Sequence, residues 1–178
     1  LIASDLDGTL LNKACRITER TKKAIRQARA RGVIFTLATG RIYRSARPFA
    51  QELEIDVPLI TYEGALVKTS QTEKVLYHRP LSAALAKEVV AIGEENDLNI
   101  NVYINDELYV YRVTEEIREY CRVVQVPYIQ VEDWAPVLER EPTKVLFMGE
   151  GEKLDQLWEK TRAYFGDQVY ITKSGLSF

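Results

Sequence analysis

Short apolar runs alternate with helical segments through the first 61 residues, and this alternation leaves few folds open. Strands are predicted at residues 1–5, 33–38 and 58–61, and helices at residues 18–31 and 44–53. Strands that alternate with helices form a parallel, doubly wound sheet with helices packed on it. We therefore expect an α/β fold here, with the first two strands buried because both are almost continuously apolar.

The second part of the chain follows a pattern typical of a smaller α+β domain. A β-hairpin is predicted at residues 66–77, and His78-Arg79-Pro80 predicts a linker because proline and the residue before it favour extended backbone. Beyond the linker, we predict helices at residues 82–95, 114–123 and 152–164, and strands with the sequences INVYI, LYVYR, KVLFMG and VYIT. The first two of these strands flank Asn105-Asp106 and predict an antiparallel hairpin.

Composition and charge exclude several functional classes. With 46% apolar and 28% charged residues, the composition is that of a soluble globular protein, and no apolar run reaches the roughly 18 residues of a membrane helix. The net charge of −2 provides no overall attraction for nucleic acid or an anionic membrane, so the basic residues of the first helix predict a solvated face. Cys15 and Cys121 stand far apart in a sequence without an export signal, which predicts reduced thiols in the cytoplasm.

Two acidic residues, Asp5 and Asp7, stand one residue apart where the first predicted strand ends. Residues i and i+2 of an extended chain point to the same face, so both carboxylates should project together. Two like charges at this spacing repel each other unless a cation or a hydrogen-bond donor compensates them. A bound divalent cation such as Mg²⁺ would do so, since it takes one or two carboxylates and fills its other positions with water and substrate phosphate.

Polar clusters follow all three predicted parallel strands, at the carboxyl ends where such sheets bind ligands. Thr39-Gly40-Arg41 combines a hydroxyl, a glycine and a cationic side chain before a predicted helix, which favours a phosphate. A carboxylate at this edge could attack phosphorus as a nucleophile, and a second could act as general acid and base. The candidate phosphate- or substrate-binding residues are Gly8, Thr9, Thr39, Gly40, Arg41, Glu63 and Gly64.

With DLDGTLL at residues 5–11 and TGR at residues 39–41, the sequence resembles the haloacid dehalogenase (HAD) superfamily, specifically the Cof-type phosphatases with a large α/β cap. The resemblance implies that Asp5 is the nucleophile and a Mg²⁺ ligand. It implies that Asp7 is the general acid/base and a further metal ligand through its backbone carbonyl, and that Thr39 binds the phosphoryl group. It also implies a HAD-like core with its N-terminal part at residues 1–80, an inserted α+β cap at 81–172, and a return to the core at 173–178.

The sequence departs from the family pattern in two places. Family members usually carry Asn-Gly-Ala after the third strand, whereas this chain has Glu63-Gly64-Ala65. The extra carboxylate would repel phosphate unless it turns away or contacts a sugar hydroxyl. The lysine and the acidic loop that the family supplies after the cap are missing, and Leu1 stands where an initiator methionine is expected. We therefore expect the chain to be part of a longer protein.

Three functions remain open at this point. The first is a Mg²⁺-dependent phosphatase in the cytoplasm that acts on small phosphorylated metabolites, such as sugar phosphates, through an aspartyl phosphate. The second is a phosphomutase, which would return the phosphoryl group to a sugar rather than to water. The third is a non-catalytic module that binds a phosphorylated ligand. No nucleic acid or membrane partner is expected.

Simpler structural roles compete with several of these interpretations. Asp5 and Asp7 could form a capped turn, Thr39 could cap the following helix, and Arg41 could be a solvated surface residue. Tyrosines of the predicted second hairpin could line a substrate cleft or pack across the strands, namely Tyr103, Tyr109 and Tyr111. We expect Cys121, Trp134 and Trp158 to belong to the core of the second part.

Overall fold

The structure is a computed structural model that describes residues 1–173, and the chain forms two compact units, residues 1–79 and residues 80 onward. The first unit contains, in order, β1 (Ile2–Ser4), α1 (Glu19–Ala30), β2 (Phe35–Leu37), α2 (Tyr43–Glu52), β3 (Pro58–Thr61), β4 (Leu66–Thr69) and β5 (Val75–His78). The second contains α3 (Ala83–Glu95), β6 (Asn99–Ile104), β7 (Glu107–Val110), α4 (Glu115–Val124), β8 (Tyr128–Gln130), β9 (Lys144–Met148) and α5 (Gly151–Phe165).

The first three strands of the first unit run parallel, as predicted. β1 pairs with β2 in parallel register, and Ala38 forms a parallel bridge with Ile60 of β3. β2 is buried throughout, but the prediction that the first strand is buried is wrong, because Leu1 is 85% and Ile2 44% exposed. Within the described residues β1 has only β2 as a strand neighbour, so one edge and much of its apolar surface stay uncovered.

Local capping explains where the two helices of this unit begin and end. Thr18 is the N-cap of α1, since its hydroxyl accepts the N–H of Thr21, and Gly32 follows the helix with a φ of 83°. Ile25 is the buried residue of α1, and Lys23 and Arg26 are exposed, as the prediction of a solvated face requires. The prediction is wrong for Arg29, which is half-buried and donates to the carbonyls of Leu53 and Glu54 at 2.8 and 2.7 Å. α2 begins one residue earlier than predicted and buries Ala46 and Ala50 completely.

An antiparallel hairpin completes the first unit. β4 pairs with both β3 and β5 in antiparallel register, which confirms the hairpin predicted at residues 66–77. The hydroxyl of Tyr43, at the start of α2, donates to the carbonyl of Thr69 at 2.7 Å and joins the helix to the hairpin. The predicted linker begins one residue later than expected, because His78 is the last residue of β5.

The second unit is built on a four-stranded sheet in the order β8-β7-β6-β9. β6 is antiparallel to β7 and β9, and the turn between β6 and β7 places Asn105 and Asp106 at φ values of 53° and 62°, as a tight hairpin requires. β8 is parallel to β7 and was not predicted, because its three residues are exposed and follow a proline.

The strand predicted at VYIT is wrong. Residues 169–172 form no strand, and Tyr170 is 79% exposed. The β-propensity of these residues has no effect without a neighbouring strand to pair with. The predicted return to the core at residues 173–178 lies outside the described residues except for Lys173.

The core of the second unit lies between α3 and the sheet. Val90 packs with Val102, Ile104 and Trp134, and these four side chains are at most 5% exposed. A Cβ atom at Gly93 would lie 2.7 Å from side-chain carbons of Ile100 and Phe147, so a glycine is what allows α3 to approach the sheet this closely. Within residues 1–173, no helix is both long and apolar enough to cross a lipid bilayer.

The two cysteines differ in their environments, and this difference predicts a chemical result. Cys15 is exposed, whereas Cys121 is buried in α4, and burial raises the pKa of its thiol. Because the thiolate is the reactive form, we expect one thiol to react with Ellman's reagent at pH 8 in the folded protein and two after unfolding in urea. In Cys15→Ser the folded protein should not react within the same time. Two equally fast thiols in the folded protein would contradict the placement of Cys121.

Candidate active site

The turn that carries the two acidic residues is anchored by leucines. It follows β1, closes with a hydrogen bond from the N–H of Leu11 to the carbonyl of Leu6 at 2.9 Å, and includes Gly8 at a φ of 72°. Leu6 is fully buried, whereas Asp5 is exposed and Asp7 is partly exposed. Burial of the leucine between them therefore leaves both carboxyl-bearing residues at the surface, where Gly8 and Thr9 are also exposed.

Backbone hydrogen bonds bring the ends of the three parallel strands together. The N–H of Ala38 donates to the carbonyl of Ser4 at 2.9 Å, and the N–H of Thr39 donates to the carbonyl of Ile60 at 3.0 Å. The N–H of Tyr62 in turn donates to the carbonyl of Arg41 at 3.0 Å. The residues after β1, β2 and β3 thus meet at one edge of the sheet, as the sequence predicts.

The hydroxyl of Thr39 organises the turn between β2 and α2. It accepts the N–H of Arg41 at 3.2 Å, whereas the N-cap position of α2 is Ile42. Thr39 therefore does not cap the helix directly. The N–H groups of Thr39 and Arg41 are both engaged inside the protein, so neither is available to a phosphate at this loop. A hydroxyl that accepts one hydrogen bond still has its own O–H to donate.

The side chain of Arg41 binds Asp7 with two hydrogen bonds and is not a solvated surface group. Its Nε lies 2.7 Å from Oδ2 and its Nη2 2.6 Å from Oδ1 of the carboxylate. Only 8% of Arg41 is exposed. Burial alone would lower the pKa of the guanidinium, but the hydrogen bonds and charge of Asp7 outweigh it and raise the pKa. Arg41 is therefore a permanent cation paired with the second acidic residue of the motif.

Ser45 and Phe49 also contact the side chain of Arg41, and the sequence did not indicate either of them as functional. Its Nη1 lies 3.1 Å from the hydroxyl of Ser45, and its guanidinium carbon lies 5.4 Å from the centre of the Phe49 ring. Ser45 stands four residues after Arg41, a spacing that places two side chains on one side of a helical turn. This spacing is the feature of the sequence that could have indicated the contact between Arg41 and Ser45.

Glu63 lies directly against the loop that follows β2. A Cβ atom at Gly40 would lie 2.0 Å from Oε1 of Glu63, so only a glycine allows the carboxylate to approach the backbone this closely. Tyr62, Glu63 and Gly64 have φ values of 53°, 55° and 94°, a left-handed run that bends the chain back towards Gly40. The carboxylate of Glu63 therefore does not turn away from the loop.

The carboxylate of Asp5 differs from that of Asp7 because it forms no hydrogen bond or ion pair with other residues in the range 1–173. In the same range, no group of three or more histidine, cysteine, aspartate or glutamate side chains lies close enough to hold a metal ion. Of the two acidic residues of the motif, Asp5 thus offers an unpaired carboxylate, and the carboxylate of Asp7 is occupied by Arg41.

Comparisons with known proteins identify the family of the chain. Residues 2–178 match the model of a family described as haloacid dehalogenase-like hydrolase. The chain is 29% identical over 169 residues to the 5-amino-6-(5-phospho-D-ribitylamino)uracil phosphatase YitU of Bacillus subtilis (strain 168), and this match covers 94% of the chain and 61% of that protein. It is 31% identical over 175 residues to the HMP-PP phosphatase of Serratia proteamaculans (strain 568), covering 95% of the chain and 61% of that protein.

Solved structures share the fold. A haloacid dehalogenase-like hydrolase from Bacteroides thetaiotaomicron superposes with a TM-score of 0.86 at 20% sequence identity, covering 97% of this chain and 66% of that one. The chain spans 61% of the length of the two curated relatives above. The predicted fold class, a HAD-like α/β core with an α+β cap, is confirmed. With a family model that matches almost its whole length, the chain belongs to the haloacid dehalogenase-like hydrolases.

Proposed function

We propose that the protein is a Mg²⁺-dependent phosphatase that hydrolyses small phosphorylated metabolites through an aspartyl phosphate on Asp5. The observation that carries the proposal is the meeting of the Asp5–Thr9 turn with the Thr39–Arg41 loop, where one carboxylate is unpaired and the other is held by an arginine. Membership of a hydrolase family and the phosphatase names of both curated relatives support it.

Asp5 is the nucleophile in this proposal. Its exposed carboxylate attacks phosphorus, so that a bond from Oδ to phosphorus forms while the bond from phosphorus to the leaving oxygen breaks. Asp7 supplies a proton to the leaving oxygen, and the hydroxyl of Thr39 donates to a phosphoryl oxygen. In the second step Asp7 accepts a proton from water, the water oxygen bonds to phosphorus, and the bond to Asp5 breaks. Inorganic phosphate leaves and the enzyme is regenerated.

The donor atoms at this edge suit Mg²⁺. Asp5 offers an unpaired carboxylate and Asp7 its backbone carbonyl, which are hard oxygen ligands, and Mg²⁺ usually takes its remaining ligands from water and substrate phosphate. The bound ion would neutralise negative charge that develops on the phosphoryl oxygens. This ligand role of Asp7 is compatible with its side chain being bound to Arg41.

The substrate class follows from the relatives and from the site. The two curated relatives are named as phosphatases of two different small compounds, so the proposal is limited to small phosphorylated metabolites, sugar phosphates among them. Both cysteines are free, which fits a reducing compartment such as the cytoplasm.

Release of inorganic phosphate tests the function. We expect the full-length protein to convert sugar phosphates and p-nitrophenyl phosphate to the alcohol and one equivalent of phosphate. EDTA should lower the rate by more than about 100-fold, since a catalytic metal contributes several kcal/mol, and Mg²⁺ should restore it. Isomerised sugar phosphate without free phosphate would instead identify a phosphomutase. Binding of a phosphorylated ligand without turnover would overturn the proposal in favour of a binding module.

A further inference from the structure

We infer that Arg41 is a positioning residue for Asp7 and does not bind the phosphoryl group. The inference rests on the proposed phosphatase function and identifies the side chain that orients the general base of its second step. Arg41 and Asp7 are 34 residues apart in sequence, yet two hydrogen bonds of 2.7 and 2.6 Å join them. The pair therefore connects the turn after β1 with the loop after β2.

Three of the five N–H donors of Arg41 are engaged by Asp7 and Ser45. A guanidinium binds an oxyanion in bidentate fashion through one planar edge, and the edge formed by Nε and Nη2 is occupied by Asp7. Nη1 donates to Ser45, and the side chain of Cys15 also interacts with the guanidinium. A phosphoryl group could take the same edge only by displacing Asp7, which would leave a partly buried carboxylate without its cation.

This pairing fixes what Asp7 can do. Each carboxylate oxygen has two lone-pair directions, and the guanidinium uses one on each oxygen, so the others stay available for a proton from water. Arg41 is donor-only and always charged, so it cannot take that proton itself. It holds the carboxylate of Asp7 in one rotational orientation, in which the remaining lone pairs can accept a proton from the water that attacks the aspartyl phosphate.

The surroundings of Arg41 make this a rigid support. The side chain is 6% exposed, with the Phe49 ring 5.4 Å from its guanidinium carbon and the Ser45 hydroxyl on its free side. An arginine that met substrate in solvent would keep its rotational freedom until binding. Here contacts within the protein hold the guanidinium in place, which is what orienting a catalytic group requires.

Pre-steady-state kinetics with p-nitrophenyl phosphate test the inference. This leaving group departs without a proton, so the first step needs little help from Asp7. We expect Arg41→Met to release a burst of about one equivalent of p-nitrophenol and then turn over about 100-fold more slowly than the wild type, because water attack on the aspartyl phosphate becomes limiting. The inhibition constant for inorganic phosphate should change less than about threefold, because Arg41 is not a phosphate ligand.

Controls separate the inference from the function it rests on. Arg44→Met removes an exposed arginine of α2 and should leave turnover and phosphate inhibition unchanged. Arg41→Lys keeps the positive charge but cannot form the two parallel hydrogen bonds to Asp7, so it should show the same burst with a smaller loss of turnover. If Arg41→Met does not fold, Arg41→Lys is the variant that tests the inference. Phosphate inhibition weakened tenfold or more, without a burst, would make Arg41 a phosphate ligand and overturn the inference. Absence of phosphate release by the wild type would overturn the proposed function instead.

Discussion

We expect Asp5→Asn to abolish phosphate release, with kcat lowered by about 10⁴-fold or more. The substitution keeps the size and shape of the side chain but replaces a carboxylate by an amide, whose oxygen is a poor nucleophile. It also removes a carboxylate that forms no ion pair within residues 1–173, in contrast to that of Asp7. Loss of an attacking group is among the largest effects a single residue has on catalysis. The rate would be followed by phosphate release from p-nitrophenyl phosphate with Mg²⁺ present.

The matched control is Asp56→Asn, which removes an exposed carboxylate elsewhere in the first unit and should leave kcat unchanged. Asp5 is exposed in a turn, so its substitution should not alter the thermal unfolding of the protein either. If Asp5→Asn keeps turnover within tenfold of the wild type, Asp5 is not the nucleophile. A labelled phosphoryl group trapped on the wild type by acid, and absent from Asp5→Asn, would add direct support.

The largest expected loss of stability comes from Ile104→Ala in β6. Ile104 is 1% exposed and packs in the cluster that contains Val102, Tyr109 and Trp134. Removing most of its side chain loses buried apolar contacts and leaves a cavity, which lowers the free energy of unfolding by about 2–5 kcal/mol. Urea unfolding can be followed by tryptophan fluorescence, because both tryptophans of the chain, Trp134 and Trp158, belong to the second unit.

Ile129→Ala is the companion variant. Ile129 has the same side chain on β8 but is 40% exposed, so its truncation should change the free energy of unfolding by less than about 1 kcal/mol. Similar effects of the two substitutions would contradict the core described between α3 and the sheet. A decrease of less than about 1 kcal/mol in the free energy of unfolding of Ile104→Ala would also contradict this core.

Features set by local chemistry and by general topology could be predicted from the sequence. Thr18 and Gly32 mark the ends of α1 because capping depends on residues close in sequence. The meeting of the turns after β1, β2 and β3 follows from the rule that parallel strands present their carboxyl ends at one edge. The parallel α/β sheet and the hairpin of β4 and β5 are confirmed for the same reasons.

Features that depend on distant neighbours could not be predicted. The composition of β1 indicated burial, but Ile2 is exposed because burial also requires elements that pack on the strand. The β-rich residues 169–172 form no strand because propensity does not supply a pairing partner. The place of Arg41 in the loop predicts a phosphate ligand, but its contact with Asp7 is a long-range ion pair that no local pattern specifies.

The left-handed bend at Tyr62 and Glu63 has a consequence for how anions reach the loop. A non-glycine residue in this region costs on the order of 1 kcal/mol, and asparagine tolerates it better than glutamate, yet the bend holds a carboxylate against Gly40. An oxyanion that approaches Gly40 therefore meets a fixed negative charge at short range. Sulfate or vanadate should therefore bind at this edge more weakly without a divalent cation than with one, so inhibitor screens and crystal soaks should include both.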